Sequence, residues 1–221
     1  MHVAIIMDGN RRWAKARGLS SVDGHRQGVA ALMKTVEAAV KLGIKFLTVF
    51  ALSTENFQNR SKREIAAIFR LIEEGFKQHL PRLKKAGIKL ICLGDLDPLP
   101  IATQVLIRQI FKELSDGKKL VLAVAVNYGG REEIVRAVRR IQKEKKEIKE
   151  KDISDNLDTA GLPDPDLIIR TGGQARLSNF LLWQSSYSEL YFTNTLWPDF
   201  SEKELEAALE EYGRRVRNFG R

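Results

Sequence analysis

Short apolar runs rich in β-branched residues alternate along this chain with longer stretches in which apolar side chains recur every three or four positions. Six runs end abruptly in polar or glycine-containing loops and read as strands. They are Val3 to Met7, Phe46 to Leu52, Lys89 to Leu93, Leu120 to Val126, Leu167 to Ile169 and Glu189 to Phe192. Between most of them the periodicity is helical. Gly28 to Leu42 places Val29, Leu32, Met33, Val36, Ala39 and Val40 on one side and stops at Gly43, a C-cap signal. Ser61 to Ala86 repeats the pattern with Ile65, Ile68, Phe69, Ile72, Phe76, Leu80 and Leu83. It opens on Ser61 with Glu64 three residues later, a capping box, and ends at Gly87. Ile101 to Leu114, Arg131 to Ile148 and Glu202 to Val216 supply three more helices. Strands alternating with helices predict right-handed crossovers and an α/β fold. The expected form is a single domain with a central, mostly parallel six-stranded sheet flanked by helices.

In such a sheet, ligands bind beyond the carboxyl ends of the strands, so the residues at those exits are the first candidates for chemistry. The first exit is Asp8-Gly9-Asn10-Arg11-Arg12-Trp13, and the second is Ser53-Thr54-Glu55-Asn56. The fourth is Asn127-Tyr128-Gly129-Gly130-Arg131, and the fifth is Arg170-Thr171-Gly172-Gly173 with Arg176 and Ser178 following. Capping alone would explain Ser, Asp and Asn there, but not arginine at two exits. Two guanidiniums at the start of a helix oppose its dipole unless an anion lies between them. Arginine's planar fork also matches phosphate bidentately. Asp8 can hold one Mg2+ that shares phosphate oxygens with a ligand, or it can serve as an N-cap in a turn. Arg170 can grip phosphate or pair with Asp164 or Asp166. His25 opens a helix and can donate to phosphate or simply pack.

The chain has 221 residues, a length that fits one sizeable core. Its formal net charge is +9. Much of that excess lies where signs alternate, in Lys143, Lys145, Lys146, Lys149 and Lys151 mixed with Glu144, Glu147 and Glu150. Mixed signs indicate a solvated helix face, whereas a nucleic-acid patch would cluster one sign. The single Cys92 sits in the apolar run Ile88 to Leu93 and reads as a buried thiol in a reducing compartment. The expected location is cytoplasmic. The longest fully apolar run, Leu120 to Val126, is far short of the roughly 20 residues a membrane span needs. Phosphate-loop, dinucleotide, zinc and nucleophile-elbow patterns do not occur.

Taken together, these segments resemble the motif series of the cis-prenyltransferases, most closely the bacterial undecaprenyl diphosphate synthases. The resemblance rests on Val3 to Lys15, Gly24-His25, Ser53 to Asn56, Asn127 to Gly130, Arg170 to Gly173, Arg176 to Gln184 and Leu196 to Phe200, in family order along the whole chain. It implies a homodimeric, Mg2+-dependent transferase that extends farnesyl diphosphate with isopentenyl diphosphate units in cis. Asp8 would be the essential carboxylate, acting through Mg2+, and Glu189 the second metal-associated one. Gly9, Asn10, Arg11, Arg12 and His25 would hold the allylic diphosphate, flanked by Trp13, Phe57 and Arg60. Asn56 would accept a proton, and Ser53, Thr54 and Glu55 would line the pocket. Arg170, Arg176, Leu177 and Ser178 would bind isopentenyl diphosphate. The product would be a long polyprenyl diphosphate, probable carrier lipid for cell-wall synthesis, released by transient contact with the inner face of the plasma membrane.

The chain departs from the family pattern at Ser21, Phe57, Gln174 and an extra residue near Asn59; Arg17 or Arg26 could replace the arginine lost at Ser21. Two competing functions are a Mg2+-dependent phosphohydrolase with Asp8 as nucleophile and a non-catalytic basic binding subunit. Asn10 stands where the hydrolase would need a second Asp. Binding alone would not require Asp8, Asn56, Arg170 and Arg176 together.

Overall fold

The computed structural model describes residues 1–142 and 147–215, without the side chains of Lys62 and Phe76. Lys143, Glu144, Lys145, Lys146, Val216 and the side chain of Phe76 therefore lie outside the described residues. The strands are β1 (His2–Ile6), β2 (Phe46–Ser53), β3 (Ile88–Leu93), β4 (Leu120–Tyr128), β5 (Leu167–Arg170) and β6 (Glu189–Phe192). They form one sheet in the order β3-β4-β2-β1-β5-β6, and every pairing is parallel. The expected mostly parallel sheet is thus parallel throughout.

The helices are α1 (Asn10–Lys15), α2 (Ser21–Lys41), α3 (Thr54–Asn59), α4 (Lys62–Lys85), α5 (Ile101–Glu113), α6 (Gly130–Gln142), α7 (Glu150–Asn156) and α8 (Glu202–Arg214). Ser61 caps α4 by accepting the backbone N–H of Glu64 at 3.2 Å. The second helix begins at Ser21, seven residues before its apolar stripe, because Ser20 and Asp23 form a capping box. The helix expected over Arg131 to Ile148 is shorter. Ile148 and Lys149 are not helical, and the Asp152 carboxylate accepts the Lys149 N–H at 3.0 Å where α7 begins.

Alternation along β1 divides the core. Val3 and Ile5 join a large cluster with apolar residues of α2, α4, α5 and α8, together with Trp197 and Phe200. Ala4 and Ile6 face a smaller cluster containing Tyr128, Phe180 and Leu181. The covering helices are therefore unequal, and much of the second face is sealed by loop residues. Along the chain, β2 is placed on one side of β1 and β5 on the other. This reversal opens a crevice at the carboxyl ends of β1, β2 and β5.

Candidate active site

A cleft of about 1190 Å³ occupies that crevice, large enough for a substrate of considerable size. Its wall contains Asp8, Gly9, Asn10, Arg11, Arg12, His25, Ser53, Glu55, Asn56, Arg60, Arg170, Arg176 and Ser178. Thirteen of the residues singled out in the sequence are thus brought together.

One flank is built on β1 and β5. Asp8 leaves β1 with its backbone N–H donated to Thr171 Oγ1 at 2.9 Å, and Thr171 donates back to the Asp8 carbonyl at 2.7 Å. This exchange ties the two strand exits together. The Asp8 carboxylate bridges two arginines, with Arg170 Nη2 3.0 Å from Oδ2 and Arg12 Nη2 3.1 Å from Oδ1. Arg12 also donates to the Gly172 carbonyl at 2.6 Å. Gly172 has φ +83°, and a Cβ there would come within 2.5 Å of Arg12 Nη2, so only glycine fits.

Arg170 donates through Nη1 to the Arg176 carbonyl at 2.5 Å and to Ser178 Oγ at 2.7 Å. Its side chain is only 5% exposed. Asp164 and Asp166 are not its partners; Asp166 instead accepts the His2 backbone N–H at 2.7 Å. Asp8 likewise does not cap α1, which Gly9 precedes without a side-chain cap. Arg176 is exposed and donates to Gln174 at 2.6 Å. Because Gln174 is neutral, that contact leaves the cation uncompensated.

The opposite flank is built from β2, α3 and the start of α4. A register irregularity between Phe50 and Ser53 turns the end of β2, and Ser53 caps α3 through the Asn56 N–H at 3.0 Å. Glu55 accepts from Asn179 Nδ2 at 2.9 Å. Burial would raise its pKa, but hydrogen bonds from Asn179 and Ser53 outweigh this and hold it below the usual carboxylate range. His25 lies 3.4 Å from Arg60 Nη1 and 3.9 Å from Glu64, and Arg60 lies 3.5 Å from Glu64. Burial, helped by Arg60, pushes the His25 imidazole down to about 4, so the ring is neutral at pH 7.

Five expected residues lie elsewhere. Trp13 donates to Asp199 at 2.7 Å, with Arg17 stacked 4.2 Å from its ring centroid. Phe57 packs against the larger core cluster and Leu177 against the smaller, while Thr54 begins α3. Glu189 is paired in register with Leu167 at the amino end of β5, three residues before Arg170, or about 10 Å back along the strand. There it meets Arg215 at 2.7 Å, so a single chain does not bring it to Asp8. Ser21 does line the cleft. Arg17 is turned to Asp199 and Arg26 to Asp23, so neither fills the role of the missing arginine.

The sequence reading missed Lys15, Glu64 and Asn179. Lys15 and Asn179 line the cleft, whereas Glu64 supports His25 and Arg60 from behind. Asn179 carried a signal in its position one residue after Ser178; Glu64 read only as a cap. Gly24 and Gly28 lie flush against Asn10, where a Cβ would come within 2.2 Å of its carbonyl and side-chain oxygens respectively. Helix α2 thereby presses α1 into place.

The family described as "Putative undecaprenyl diphosphate synthase" matches residues 6–220. The chain belongs to this family. It is a cis-prenyltransferase, and its relatives cover it end to end. It is 47% identical to the isoprenyl transferase of Aquifex aeolicus (strain VF5) over 221 residues, which is all of this chain and 95% of that one. Identity to the isoprenyl transferase of Fusobacterium nucleatum is 47% over 220 residues, covering 99% of this chain and 95% of the relative. Among solved structures, lavandulyl diphosphate synthase from Lavandula x intermedia, in complex with dimethylallyl diphosphate, superposes with a TM-score of 0.94 at 40% identity. A probable undecaprenyl diphosphate synthase from Campylobacter jejuni gives 0.84 at 36%. In both cases 100% of this chain and 98% of the other is covered.

Proposed function

We propose that this cis-prenyltransferase condenses isopentenyl diphosphate units onto an allylic diphosphate, with farnesyl diphosphate as primer. The product is a polyprenyl diphosphate of undecaprenyl length, the scale of a cell-wall lipid carrier. The observation that carries the reading is the Asp8 bridge between Arg12 and Arg170. It holds cations from two strand exits at one end of a cleft whose other flank supplies His25 and Arg60.

In this reading Arg176 and Ser178, with Arg170 behind them, bind isopentenyl diphosphate. The α1 residues, with neutral His25 and Arg60, hold the allylic diphosphate. The allylic C–O bond breaks, the alkene of isopentenyl diphosphate supplies the electron pair for the new C–C bond, and a proton leaves the adjacent carbon. Asn56, on the cleft wall, is its first acceptor. The departing diphosphate gains charge, and the fixed guanidiniums stabilise that charge.

Asp8 fits a Mg2+ site: Mg2+ usually binds one or two carboxylates and completes its shell with phosphate oxygens and water. Among the described residues no cluster of three or more potential ligands exists, so the diphosphate itself would complete the set. Bound there, the ion would add Lewis-acid stabilisation of the leaving group.

The growing chain needs an apolar path away from the charged cleft; the apolar pocket between α4 and α5, lined by Phe69, Ile72, Leu106, Ile107, Val124 and Val126, holds about 20 Å³ and would have to widen to receive it. Helix α4 supplies one wall of that pocket, and Phe50 and Ala51 of β2 line the cleft itself. Among the described residues no helix is long and apolar enough to cross a membrane. A product this apolar leaves through transient contact with an anionic lipid surface, which the net charge of +9 favours. Tyr187, 85% exposed, and Phe192 beside the open edge of β6 support a homodimer contact. The setting is the cytoplasmic face of the membrane.

The deciding experiment is mass analysis of the lipid made from labelled isopentenyl diphosphate and farnesyl diphosphate, with and without mild detergent. A fifty-five-carbon product whose multiple-turnover rate rises with detergent is expected. In a parallel reaction given dimethylallyl diphosphate in place of farnesyl diphosphate, a ten-carbon product with no long-chain product from either primer would replace this reading with that of a short-chain synthase, and absence of any prenyl product would overturn both.

A further inference from the structure

The loop that carries Arg176 and Ser178 is strained. Ser178, Asn179 and Leu181 all lie in the left-handed region, at φ 50°, 64° and 46°, which residues other than glycine adopt only where their surroundings hold them. The anchors are on α6. The Asn179 carbonyl accepts the Gly130 N–H at 2.7 Å, and its Oδ1 accepts the Arg131 N–H at 2.9 Å. Farther along the loop, Gln184 is 2% exposed. Its Nε2 lies 3.1 Å from Glu133 Oε2 and 2.8 Å from Thr159 Oγ1.

Glu133 is the centre of this arrangement. It is 0% exposed, does not line the cleft, and has no part in the chemistry proposed above. Its carboxylate accepts from Tyr128 Oη at 2.5 Å, from the Asp158 N–H at 2.9 Å and from Gln184. A buried carboxylate is costly unless its donors are all in place, so such a group specifies the positions of three segments at once. Those segments are the exit of β4, the start of the stretch after α7, and the loop beyond Ser178. Phe180 adds an apolar tie, stacking on Phe50 at 4.6 Å and meeting Tyr128 edge-on at 6.2 Å.

We infer that Glu133 is a positioning residue for the homoallylic substrate: acting through Gln184, it fixes the strained loop so that Arg176 and Ser178 meet the diphosphate of isopentenyl diphosphate. The inference rests on the proposed function. Its weight falls on one substrate, because the groups assigned to the allylic diphosphate stand on α1, α2 and the junction of α3 with α4, which Glu133 does not touch; the loop reaches the second flank at Glu55 and Phe50.

The test is steady-state kinetics and calorimetric binding of isopentenyl diphosphate to the full chain. Glu133→Gln turns an acceptor toward donors and should raise KM and Kd for isopentenyl diphosphate about tenfold. The allylic KM and kcat at saturation should stay within about threefold. Adding Gln184→Glu returns a donor–acceptor pair with its direction reversed and should bring KM back to within about threefold of the parent. If Glu133→Gln does not fold, Gln184→Met carries the same test, since it leaves the carboxylate with Tyr128 and Asp158. Unchanged KM, or a loss shared equally by both substrates and not rescued by the double variant, overturns the inference. A parent chain that binds no isopentenyl diphosphate overturns the functional reading and this one with it. A parent that binds it, alongside an equally competent variant, overturns the positioning role alone.

Discussion

The two flanks of the cleft hold their cations in different ways. On the β1 and β5 flank, Asp8 stands between Arg12 and Arg170 at 3.1 and 3.0 Å, and the guanidinium of Arg170 is further occupied by Ser178 and a backbone carbonyl. On the α3 and α4 flank, Arg60, His25 and Glu64 are spaced at 3.4–3.9 Å, and Arg11 adds a second positive field against His25. The first flank fixes Arg12 and Arg170 on a carboxylate before a ligand arrives and leaves Arg176 uncompensated; the second holds Arg60 loosely, 3.5 Å from Glu64, until an anion arrives. Preorganised donors cost no reorganisation during the reaction, whereas the second flank uses ligand charge to settle its own.

The sharpest way to break the contrast is to remove the bridge. Asp8→Ala leaves Arg12 and Arg170 facing each other with no carboxylate between them, and it removes the candidate metal ligand. Turnover should fall by about 10³-fold or more while the circular dichroism of the fold is retained. Near-parental turnover at saturating Mg2+ would show that the first flank does not depend on its carboxylate.

A smaller effect separates the two arginines of that flank. Arg170 is buried and organises Asp8 and Ser178, so Arg170→Lys should lower kcat and raise the isopentenyl diphosphate KM, each by about tenfold. The exposed guanidinium of Arg176 donates to neutral Gln174 at the cleft wall, so Arg176→Lys should raise KM by about tenfold and leave kcat nearly unchanged. Identical kinetic profiles for the two variants would erase the distinction between an organising and a gripping arginine.

The smallest effect lies on the second flank and is read through stability. The His25 pKa is about 4 in the folded chain against 6.5 for a free imidazole side chain, so the unfolded chain takes up the proton first as pH falls. Stability is then full above about pH 6.5 and declines by about 3 kcal/mol towards pH 4. Urea midpoints at pH 7 and pH 4.5 should fall less steeply for His25→Gln than for the parent. His2, also lowered by burial, contributes with the same sign to both proteins. Equal slopes would mean that His25 is as easily protonated as an exposed imidazole.

The parts of this site legible in the sequence are those that a strand delivers. Asp8 and Arg170 were each visible as the residue at an exit, and the parallel pairing of β1 with β5 brings them together across 162 positions. Their contact was not legible, because neighbours in sequence such as Asp164 and Asp166 competed for Arg170. The short helix α3 was not legible because six residues give less than two turns of periodicity, whereas the start of α1 showed through its paired arginines rather than through periodicity. Position in a motif also says nothing of direction. Trp13 and Phe57 follow site residues directly, yet one faces Asp199 and the other the core. The displacement of Glu189 follows from the parallel register of β6, which no local pattern reveals. Cys92 is half-buried rather than buried, and that burial still pushes its thiol up to about 12, leaving it a poor nucleophile.

The close fit of Gly24 and Gly28 against Asn10 bears on how this scaffold can be altered. A methyl group at either position would force α1 outward and carry Arg11 and Arg12 with it before any substrate contact had been changed. Mutational libraries that include this seam would therefore be dominated by inactive members whatever trait is selected. The α4–α5 cavity has side-chain walls that can exchange volume with modest loss. Diversity concentrated there, with the glycine seam held constant, tests whether that pocket sets product length while keeping most members folded.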